Sequence, residues 1–158
     1  MTTSDLASVN GIAAVVHPGY PEDAAIFSER LALYPAGCHV LVAGGGAPGG
    51  YIVSHPWRDR EPPPLNTRLD VLPAKPSTYY IHDIALLPEM RGTKAAQEIV
   101  TLLIGHARAA GLPAVSLIAV NDSQAFWQRM GFARVDDGML GAKLKSYGGD
   151  ACFMIRPL

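Results

Sequence analysis

The chain is short of charge and of cysteine, and each shortage excludes a class of function. Its 13 lysines and arginines are balanced by 14 aspartates and glutamates, which gives a formal net charge of −1. A protein that binds nucleic acid through its phosphates needs a basic excess, so no nucleic-acid partner is expected. The two cysteines, Cys38 and Cys152, do not have the spacing of metal ligands. They predict two reduced thiols in a cytosolic protein, with a single disulfide as the alternative.

The sequence also lacks the segments that direct a protein to a membrane or through it. The first residues, MTTSDLASVNGIAAVV, contain no basic stretch of a signal peptide, and no apolar run is long enough to span a bilayer. We therefore expect a cytoplasmic protein with no membrane partner. No internal repeat is present. With 158 residues, of which 49% are hydrophobic, the chain predicts a single domain over 1–158 with one buried core.

Turn residues and hydrophobic periodicity divide the chain into helices and strands. The predicted order is α-α-β-β-β-α-β-α-β-β. Helices are expected at about 5–15 (with Ser4 as the N-cap), 21–34, 93–110 and 122–131, and strands at 39–43, 50–55, 79–87, 114–120, 132–135 and 152–156. The glycine-rich segment 44–49 is expected to form a hairpin turn, because it lacks the Gly-Lys-Ser/Thr of a phosphate loop and no helix follows it.

The helix at 93–110 and the segment before the central strand carry further expectations. The helix is predicted to bury one face made of Ala95, Ile99, Leu102, Leu103 and His106, with His106 in a structural role. The segment 56–78 contains too many prolines for a helix or an inner strand. A loop of this length inside a compact domain is usually functional or disordered.

A strand that leads directly into a helix marks a candidate anion site. Residues 79–96, YYIHDIALLPEMRGTKAA, form an apolar strand, a turn marked by proline, and a helix start rich in small residues. The first N–H groups of a helix have no intrahelical partner and converge on an anion such as a phosphate. Residues 121–132, NDSQAFWQRMGF, form a second pattern, a short helix closed by Gly131.

These two segments, in this order and separated by a helix and a strand, resemble motifs A and B of the GNAT superfamily of acetyltransferases. The resemblance implies an α/β (α+β) GNAT fold, in which helices flank a mixed central sheet. It covers the second half of the chain by its motifs and the first half only by the order of elements. The first strand of the family is missing, because the first helix begins almost at Met1. One edge of the sheet is therefore expected to be bare or to be supplied in another way.

The resemblance also implies where acetyl-CoA binds. Backbone groups of Ile84 and Leu86 would pair with the pantetheine arm, and the N–H of Leu86 would polarise the thioester carbonyl. The second motif would add Asn121 and Trp127. The pyrophosphate would lie at the helix start, which comprises Arg91, Gly92, Thr93, Lys94, Ala95 and Ala96. Lys94 departs from the family pattern, because it stands where the family has its first glycine.

Two side chains, His82 and Tyr147, are predicted to carry the chemistry. An alkylamine has a pKa of around 10, so a base must help to remove its proton. His82 matches by position a histidine that acts as the base in a member of the family, and its alternative role is packing within the sheet. Asp83 is expected on the opposite face of the strand unless a bulge intervenes. Trp127 stands in the place of the family's acidic tyrosine and cannot act as an acid, so Tyr147 is the candidate proton donor. Its alternative role is to cover the core.

The function implied is that of an acetyl-CoA-dependent N-acetyltransferase. It would act without a metal on the primary amine of a small-molecule acceptor, by direct attack in a ternary complex. The proline-rich segment 56–78 is expected to line the acceptor side of the cleft. The alternatives are a non-catalytic module that binds or senses acyl-CoA, and an acetyltransferase for protein N-termini or lysines. A homodimer is compatible with the sequence. His17, His39 and His55 are scattered along the chain and receive no role.

Overall fold

The computed structural model describes residues 1–44, 46–149 and 151–158, and the side chains at positions 139, 142 and 143 are not considered. Gly45 of the predicted hairpin turn and Asp150 of the loop after Tyr147 lie outside the described residues. The helices are α1 (Leu6–Val16), α2 (Ala24–Leu33), α3 (Ala95–Ala109), α4 (Gln124–Arg129) and α5 (Gly138–Leu144). The strands are β1 (Cys38–Val42), β2 (Pro48–Trp57), β3 (Thr78–Leu86), β4 (Ala114–Ala119), β5 (Ala133–Arg134) and β6 (Cys152–Pro157).

The strands form one mixed sheet in the order β1-β2-β3-β4-β6-β5. Only β3 and β4 run parallel, and the other neighbouring pairs are antiparallel. The predicted mixed sheet flanked by helices is thereby confirmed. Before α1, the described residues form only the short 3-10 turn Thr3–Asp5, and β1 is an edge strand. The expectation that the family's first strand is missing therefore holds for the described residues.

Each face of the sheet has its own buried cluster. On one face, side chains of α3 and β4 such as Val100, Leu103 and Val115 pack against Tyr79 and Ile81 of β3. On the other face, α1 and α2 cover β2 with a second set that includes Val9, Phe27, Tyr51, Val53 and Ala85. Cys38 and Cys152 are both buried, and no disulfide joins them. The predicted reduced state agrees with the structure, and the alternative disulfide does not form.

Several boundaries differ from the prediction for local reasons. Ser4 is not an N-cap, because it lies in the turn in which the Thr2 N–H donates to the Asp5 carboxylate at 2.7 Å. The second helix begins at Ala24 rather than at 21, and Asp23, which has extended backbone, is its N-cap. On α3, Leu102 is 55% exposed and the buried side chains are Val100, Leu103, Ile104 and Ala107. Helix α5 and the 3-10 turn Lys145–Tyr147 were not predicted.

A β-bulge interrupts β3 at His82. On β2, Val53 pairs with Asp83 and Ser54 pairs with Ile81, so His82 faces no single partner. One extra residue reverses the alternation of side chains along the rest of the strand. His82 and Asp83 therefore both contact groups on the α1–α2 side of the sheet. Asp83 was expected on the opposite face of β3 unless a bulge intervened. The bulge is present, so Asp83 lies on the same face as His82.

Candidate functional site

The parallel strands β3 and β4 pair over a short stretch and then separate. Their pairing covers Tyr79–Ile81 and Val115–Leu117, although β3 continues to Leu86 and β4 to Ala119. The opening between them forms part of a cleft of about 520 Å³. Ile84 and Leu86 of β3 and Ile118 of β4 line this cleft. It extends to the α1–α2 side of the sheet, where His17 and Glu22 line it.

Backbone groups of β3 face this opening. The carbonyl of Ile84 accepts a hydrogen bond from Nε2 of His17 at 3.2 Å, so it is not used in the ladder with β2. The N–H of Leu87, by contrast, donates to Gly49 at the start of β2 at 2.9 Å. Successive residues of a strand direct their backbone groups to alternate sides. Ile84 and Leu86 therefore present their backbone groups to the cleft, as a ligand that adds to the strand would require.

The start of α3 also contributes to the cleft. Arg91 and Ala96 line the cleft. The helix begins at Ala95, and its first intrahelical bond runs from the Glu98 N–H to the Lys94 carbonyl at 3.0 Å. The N–H groups of residues 95–97 consequently have no intrahelical partner and are available to an anion.

The predicted helix start two residues earlier is wrong, because the turn before α3 uses left-handed backbone. Gly92 has φ +78° and Lys94 has φ +68° with ψ −1°. The hydroxyl of Thr93 donates to the Met90 carbonyl at 2.8 Å and stabilises this turn. Gly92, Thr93, Lys94 and Ala95 do not belong to the lining of the cleft. The left-handed position of Lys94 gives a physical reason for a glycine at this place in the motif.

Two histidine–carboxylate pairs meet where the bulge lies. Nε2 of His82 is 3.0 Å from Oε2 of Glu22, which lies between α1 and α2. Nε2 of His17 is 3.1 Å from Oδ1 of Asp83. The second carboxylate oxygen of Asp83 accepts a hydrogen bond from the Tyr51 hydroxyl at 2.5 Å. These side chains come from β2, β3 and the connection between α1 and α2, and the bulge brings the two pairs into one cleft.

Both carboxylates are held in their charged form. Burial by itself would raise the pKa of Glu22, but the charge and hydrogen bond of His82 outweigh it and lower the pKa. Burial likewise opposes ionisation of Asp83, and the hydrogen bond and charge of His17 lower its pKa below the usual range. Burial would lower the pKa of His17, yet its hydrogen bond to Asp83 raises it. The site therefore contains two anionic carboxylates near neutral pH.

His82 is well enclosed. Its side chain is 2% exposed and that of Glu22 is 5% exposed, although both residues line the cleft. Nδ1 of His82 is buried and has no hydrogen-bond partner among the described residues. The ring of His55 lies on the same side of β3, with its centroid 6.3 Å from that of His82. Burial, followed by the charge of His82, lowers the pKa of His55 to about 3, so His55 is neutral.

Tyr147 also lines the cleft, from the 3-10 turn that the sequence did not reveal. Its hydroxyl donates to the carbonyl of Pro63 at 2.9 Å and interacts with the hydroxyl of Tyr80. Burial raises the pKa of Tyr147 above the ordinary value for tyrosine. The hydroxyl is therefore protonated at neutral pH, and its proton is directed at a carbonyl of the proline-rich segment.

Asn121 and Trp127 line the cleft on the β4 side. Asn121 has φ +51°, and its amide nitrogen donates to Nδ1 of His17 at 3.1 Å. Trp127 is 4% exposed and packs edge-on against Phe126 and Phe132. Trp127 thus fills the core and lines the cleft at once. His17 contacts both sides of the opening, through Ile84 on β3 and through Asn121 after β4.

The proline-rich segment is fixed to α2 by buried charges. Glu29 accepts hydrogen bonds from the backbone N–H groups of Leu69 and Asp70 at 2.9 and 3.0 Å. Arg30, which is 1% exposed, pairs with Glu29 and donates to the carbonyl of Thr67 at 2.7 Å. These bonds hold the segment in one place although it has no helix or strand of its own.

The same segment closes one end of the cleft. Leu65 lines it. The N–H of Asn66 donates to Glu22 at 3.0 Å, and the side chain of Asn66 accepts from the N–H of Asp23 at 2.8 Å. On the other side of the segment, the carbonyl of Pro63 accepts a hydrogen bond from the Tyr147 hydroxyl. It therefore joins the α1–α2 connection to the Lys145–Tyr147 turn and forms a wall between them.

Sequence reasoning missed two residues of the site. Glu22 lies within the predicted helix 21–34 and carries no predicted role, and His17 carries none either. No local signal marks either residue, because their partners His82 and Asp83 lie 60 or more positions away. Among residues 1–44, 46–149 and 151–158, no group of three histidine, cysteine, aspartate or glutamate side chains could hold a metal ion. No helix in this part of the chain is long and apolar enough to cross a membrane.

Solved structures share this fold at low sequence identity. The NatC complex bound to Gag peptide and CoA matches with a TM-score of 0.74 and 22% identity, over 99% of this chain and 92% of that chain. GphF, a GNAT-like decarboxylase in complex with isobutyryl-CoA, has a TM-score of 0.81 at 14% identity, covering 99% and 96%. Rv2747 from Mycobacterium tuberculosis, in complex with CoA and NLQ, has a TM-score of 0.66 at 17% identity, covering 99% and 96%.

Sequence comparison identifies the family directly. No curated protein sequence matches the chain. The sequence model of the acetyltransferase (GNAT) family matches residues 9–132, which include the bulged strand, the start of α3 and the helix α4. The match spans both sides of the cleft and most of the chain. The chain belongs to the GNAT family of acetyltransferases.

Proposed function

We propose that the protein transfers an acetyl group from acetyl-CoA to the primary amine of a small molecule, by direct attack in a ternary complex. The observation that carries this proposal is the cleft itself. It combines the backbone edge of β3, the first turn of α3 and the pair formed by His82 and Glu22 in one opening. One part is suited to a phosphorylated, amide-bearing chain, and the other is suited to accept a proton.

The residues present fit acetyl-CoA, which would supply the acetyl group as a thioester. Backbone groups of Ile84 and Leu86 would pair with the amides of the pantetheine arm, with the Ile84 carbonyl exchanging its hydrogen bond from His17. The N–H of Leu86 would polarise the thioester carbonyl. Asn121 and Trp127 line the opposite side. The pyrophosphate is assigned to the start of α3, where Arg91, Gly92, Thr93, Lys94, Ala95 and Ala96 correspond to the first motif. Of these, Arg91 contributes a positive charge that lines the cleft.

We assign His82 as the group that takes the proton of the attacking amine. The reacting nitrogen must lose a proton as its bond to the acetyl carbon forms, and a neutral imidazole ring has a nitrogen that can accept it. Glu22 holds the ring by its hydrogen bond to Nε2 and stabilises the positive charge that develops. Because the ring is nearly enclosed, the proton reaches it at a narrow contact or through a bound water.

Tyr147 is the candidate donor to the departing thiolate, since it lines the cleft and its hydroxyl is protonated. A thiol has a reference pKa of about 8.5, below that of a tyrosine. The raised pKa of Tyr147 makes this transfer uphill, so its contribution to the rate is expected to be small. The thiolate can leave without a proton.

The fixed wall formed by the proline-rich segment favours a small acceptor over a protein. An extended peptide needs a groove between the α1–α2 connection and the Lys145–Tyr147 turn. Leu65 and Asn66 occupy this place and are tied to both sides. A compact amine can enter the end of such a cleft, whereas a peptide would have to displace the segment.

Turnover of acetyl-CoA against a panel of amines and amine-terminated peptides tests the proposal. We expect thiol release that depends on the amine, together with an acetylated product seen by mass spectrometry. Calorimetry on the same sample measures CoA binding separately. Binding of CoA without release of thiol to any acceptor would instead support a sensing module. Efficient acetylation of peptides with no turnover of small amines would contradict the assigned acceptor class.

A further inference from the structure

The acceptor end of the cleft is the part on the α1–α2 side of the sheet. We define it by the lining residues Tyr20, Glu22, Leu65, His82 and Tyr147. They come from the α1–α2 connection, the proline-rich segment, β3 and the Lys145–Tyr147 turn. The wall described above closes this end, so an acceptor must place all groups near its reacting nitrogen within one small enclosure.

The lining side chain at this end that is charged at all neutral pH values is a carboxylate, and the histidines that pair with the carboxylates are positive only when protonated. The carboxylate of Glu22 lies here, and Asp83 lines the cleft immediately beyond His82. Among the described residues that line the cleft, the only lysine or arginine is Arg91, which precedes α3 at the opposite end. Arg30 is buried behind the wall, where it is engaged by Glu29 and the Thr67 carbonyl.

The two carboxylates are also fixed in place. Glu22 accepts from the Asn66 N–H and contacts the ring of His82. Asp83 accepts from Tyr51 and contacts His17. Neither side chain can turn away when a ligand enters without breaking these bonds. The hydrogen bonds and charges of their histidine partners lower the pKa of both carboxyl groups, which keeps them ionised at neutral pH.

We propose that the acceptor is an amine without an anionic group near its reacting nitrogen, such as an alkylamine, an aralkylamine or a diamine, and that free α-amino acids are excluded. This inference rests on the proposed function, and it adds the charge class of the acceptor. The amine arrives as an ammonium ion, which the carboxylates attract, and it gives up its proton to His82.

An α-carboxylate next to the reacting nitrogen would be repelled by the same carboxylates that attract the ammonium ion. It would be confined with Glu22, whose charge is not compensated when His82 is neutral and able to accept the proton of the amine. Besides Arg91 and His82, the other described lining residue that can carry a positive charge is His17, and it is already paired with Asp83. Two like charges about 6 Å apart at an effective dielectric constant of about 20 repel each other enough to reduce binding roughly 100-fold. Attraction between the ammonium group and the same carboxylates acts equally on both kinds of acceptor, so it does not compensate.

The test uses acceptors that share one carbon skeleton. Phenethylamine is compared with phenylalanine, and 1,4-diaminobutane with ornithine, with phenylalanine amide as a control for the size of the added group. We expect kcat/KM to be at least 100-fold higher for each amine than for its amino acid, and phenylalanine amide to recover most of the difference. Equal or faster turnover of the amino acids overturns the inference while the proposed function stands. If kcat/KM falls as much for phenylalanine amide as for phenylalanine, the size of the added group and not its charge causes the loss. That result also overturns the inference.

A pair of variants connects the preference to the site. Glu22→Gln removes one negative charge and retains an oxygen for the Asn66 N–H, whereas Asp23→Asn makes the same chemical change at a neighbouring residue that does not line the cleft. The amine-to-acid ratio is compared within each variant, so a general loss of rate cancels. We expect the ratio to fall roughly 100-fold in Glu22→Gln, the factor given above for one pair of like charges, and to be unchanged in Asp23→Asn. An equal ratio in all three proteins overturns the inference. If no amine or amino acid is acetylated although CoA binds, the proposed function and the inference fail together.

Discussion

Lys94 offers a direct test of the local physics at the proposed pyrophosphate site. It has φ +68° and ψ −1° immediately before α3, and its side chain is exposed. A side chain with a Cβ pays roughly 1–2 kcal/mol to adopt left-handed backbone, and glycine does not. Replacing Lys94 with glycine recovers this energy, but it also adds about 0.4–1 kcal/mol of backbone freedom to the unfolded chain. We therefore expect Lys94→Gly to raise the free energy of unfolding by about 0.5–1 kcal/mol.

Lys94→Ala is the matched control. It removes the same positive charge and the same long side chain, but it retains the Cβ and hence the left-handed penalty. Its free energy of unfolding should remain within about 0.5 kcal/mol of the wild type, as expected for an exposed position. Urea denaturation followed by circular dichroism measures all three proteins, and equal denaturant slopes show that the unfolded states are comparable.

Calorimetric titration with CoA then separates backbone from charge. If Lys94 contributes a cation near the pyrophosphate, both variants lose affinity by the same factor, and the loss decreases at high salt. If the side chain hinders entry, both variants gain affinity. If the Lys94→Gly protein binds CoA more tightly than the Lys94→Ala protein, the backbone of the turn adjusts when CoA binds. A Lys94→Gly protein less stable than Lys94→Ala would refute the reasoning, because it would show that the left-handed conformation costs nothing here.

Three further predictions concern the cleft. His82→Ala should lower kcat by roughly 10²–10⁴-fold if His82 is the base, with CoA affinity little changed, and a rate that is retained at every pH would reduce His82 to a packing residue. Trp127→Phe should keep most of the turnover at saturating acetyl-CoA, because the aromatic core contact persists; a large loss of kcat with normal CoA binding would contradict its non-acidic role. Asp83→Asn should destabilise the protein most between about pH 4 and 6.5. The depressed pKa of Asp83 gives stability that is lost as the pH falls through that pKa, and the raised pKa of His17 gives stability that is lost as the pH rises through it. Urea denaturation across pH checks this, and a difference that is constant from pH 3 to pH 9 would be inconsistent with the ion pair.

The order of elements could be predicted because it is encoded locally. Prolines, glycines and hydrophobic periodicity mark where each helix and strand begins and ends, and the two motifs lie in sequence-contiguous segments. The cofactor side of the site follows from the same property, since Ile84 and the start of α3 are separated by about ten residues of continuous chain. Helix α5 escaped prediction because GMLGAKL is short and contains two glycines, which disfavour a helix.

The acceptor side could not be predicted because it is encoded by pairing between distant segments. Nothing in YYIHDIAL signals a bulge, and the register shift becomes visible only against Val53 and Ser54 of β2. The role of Glu22 depends on a partner 60 positions away, so no feature of the neighbouring sequence reveals it. Leu102 was assigned to the wrong face for a similar reason, since the apolar pattern of α3 is wider than the face that the sheet covers.

The bulge at His82 also has a consequence for how β3 can change over time. On either side of this residue, the strand alternates regularly: Tyr79 and Ile81 pack against the α3 cluster, and beyond the bulge Ile84 packs there while Ala85 belongs to the α1–α2 cluster. If His82 were deleted, Asp83 would follow Ile81 and the alternation would continue without interruption, with every other side chain on its present face. Deletion of Asp83 would restore the same alternation, because His82 would then lie between Ile81 and Ile84. The bulge therefore adds one polar side chain to the α1–α2 side of β3 without moving a core contact on either face, and this is how two adjacent residues of one strand both reach the cleft.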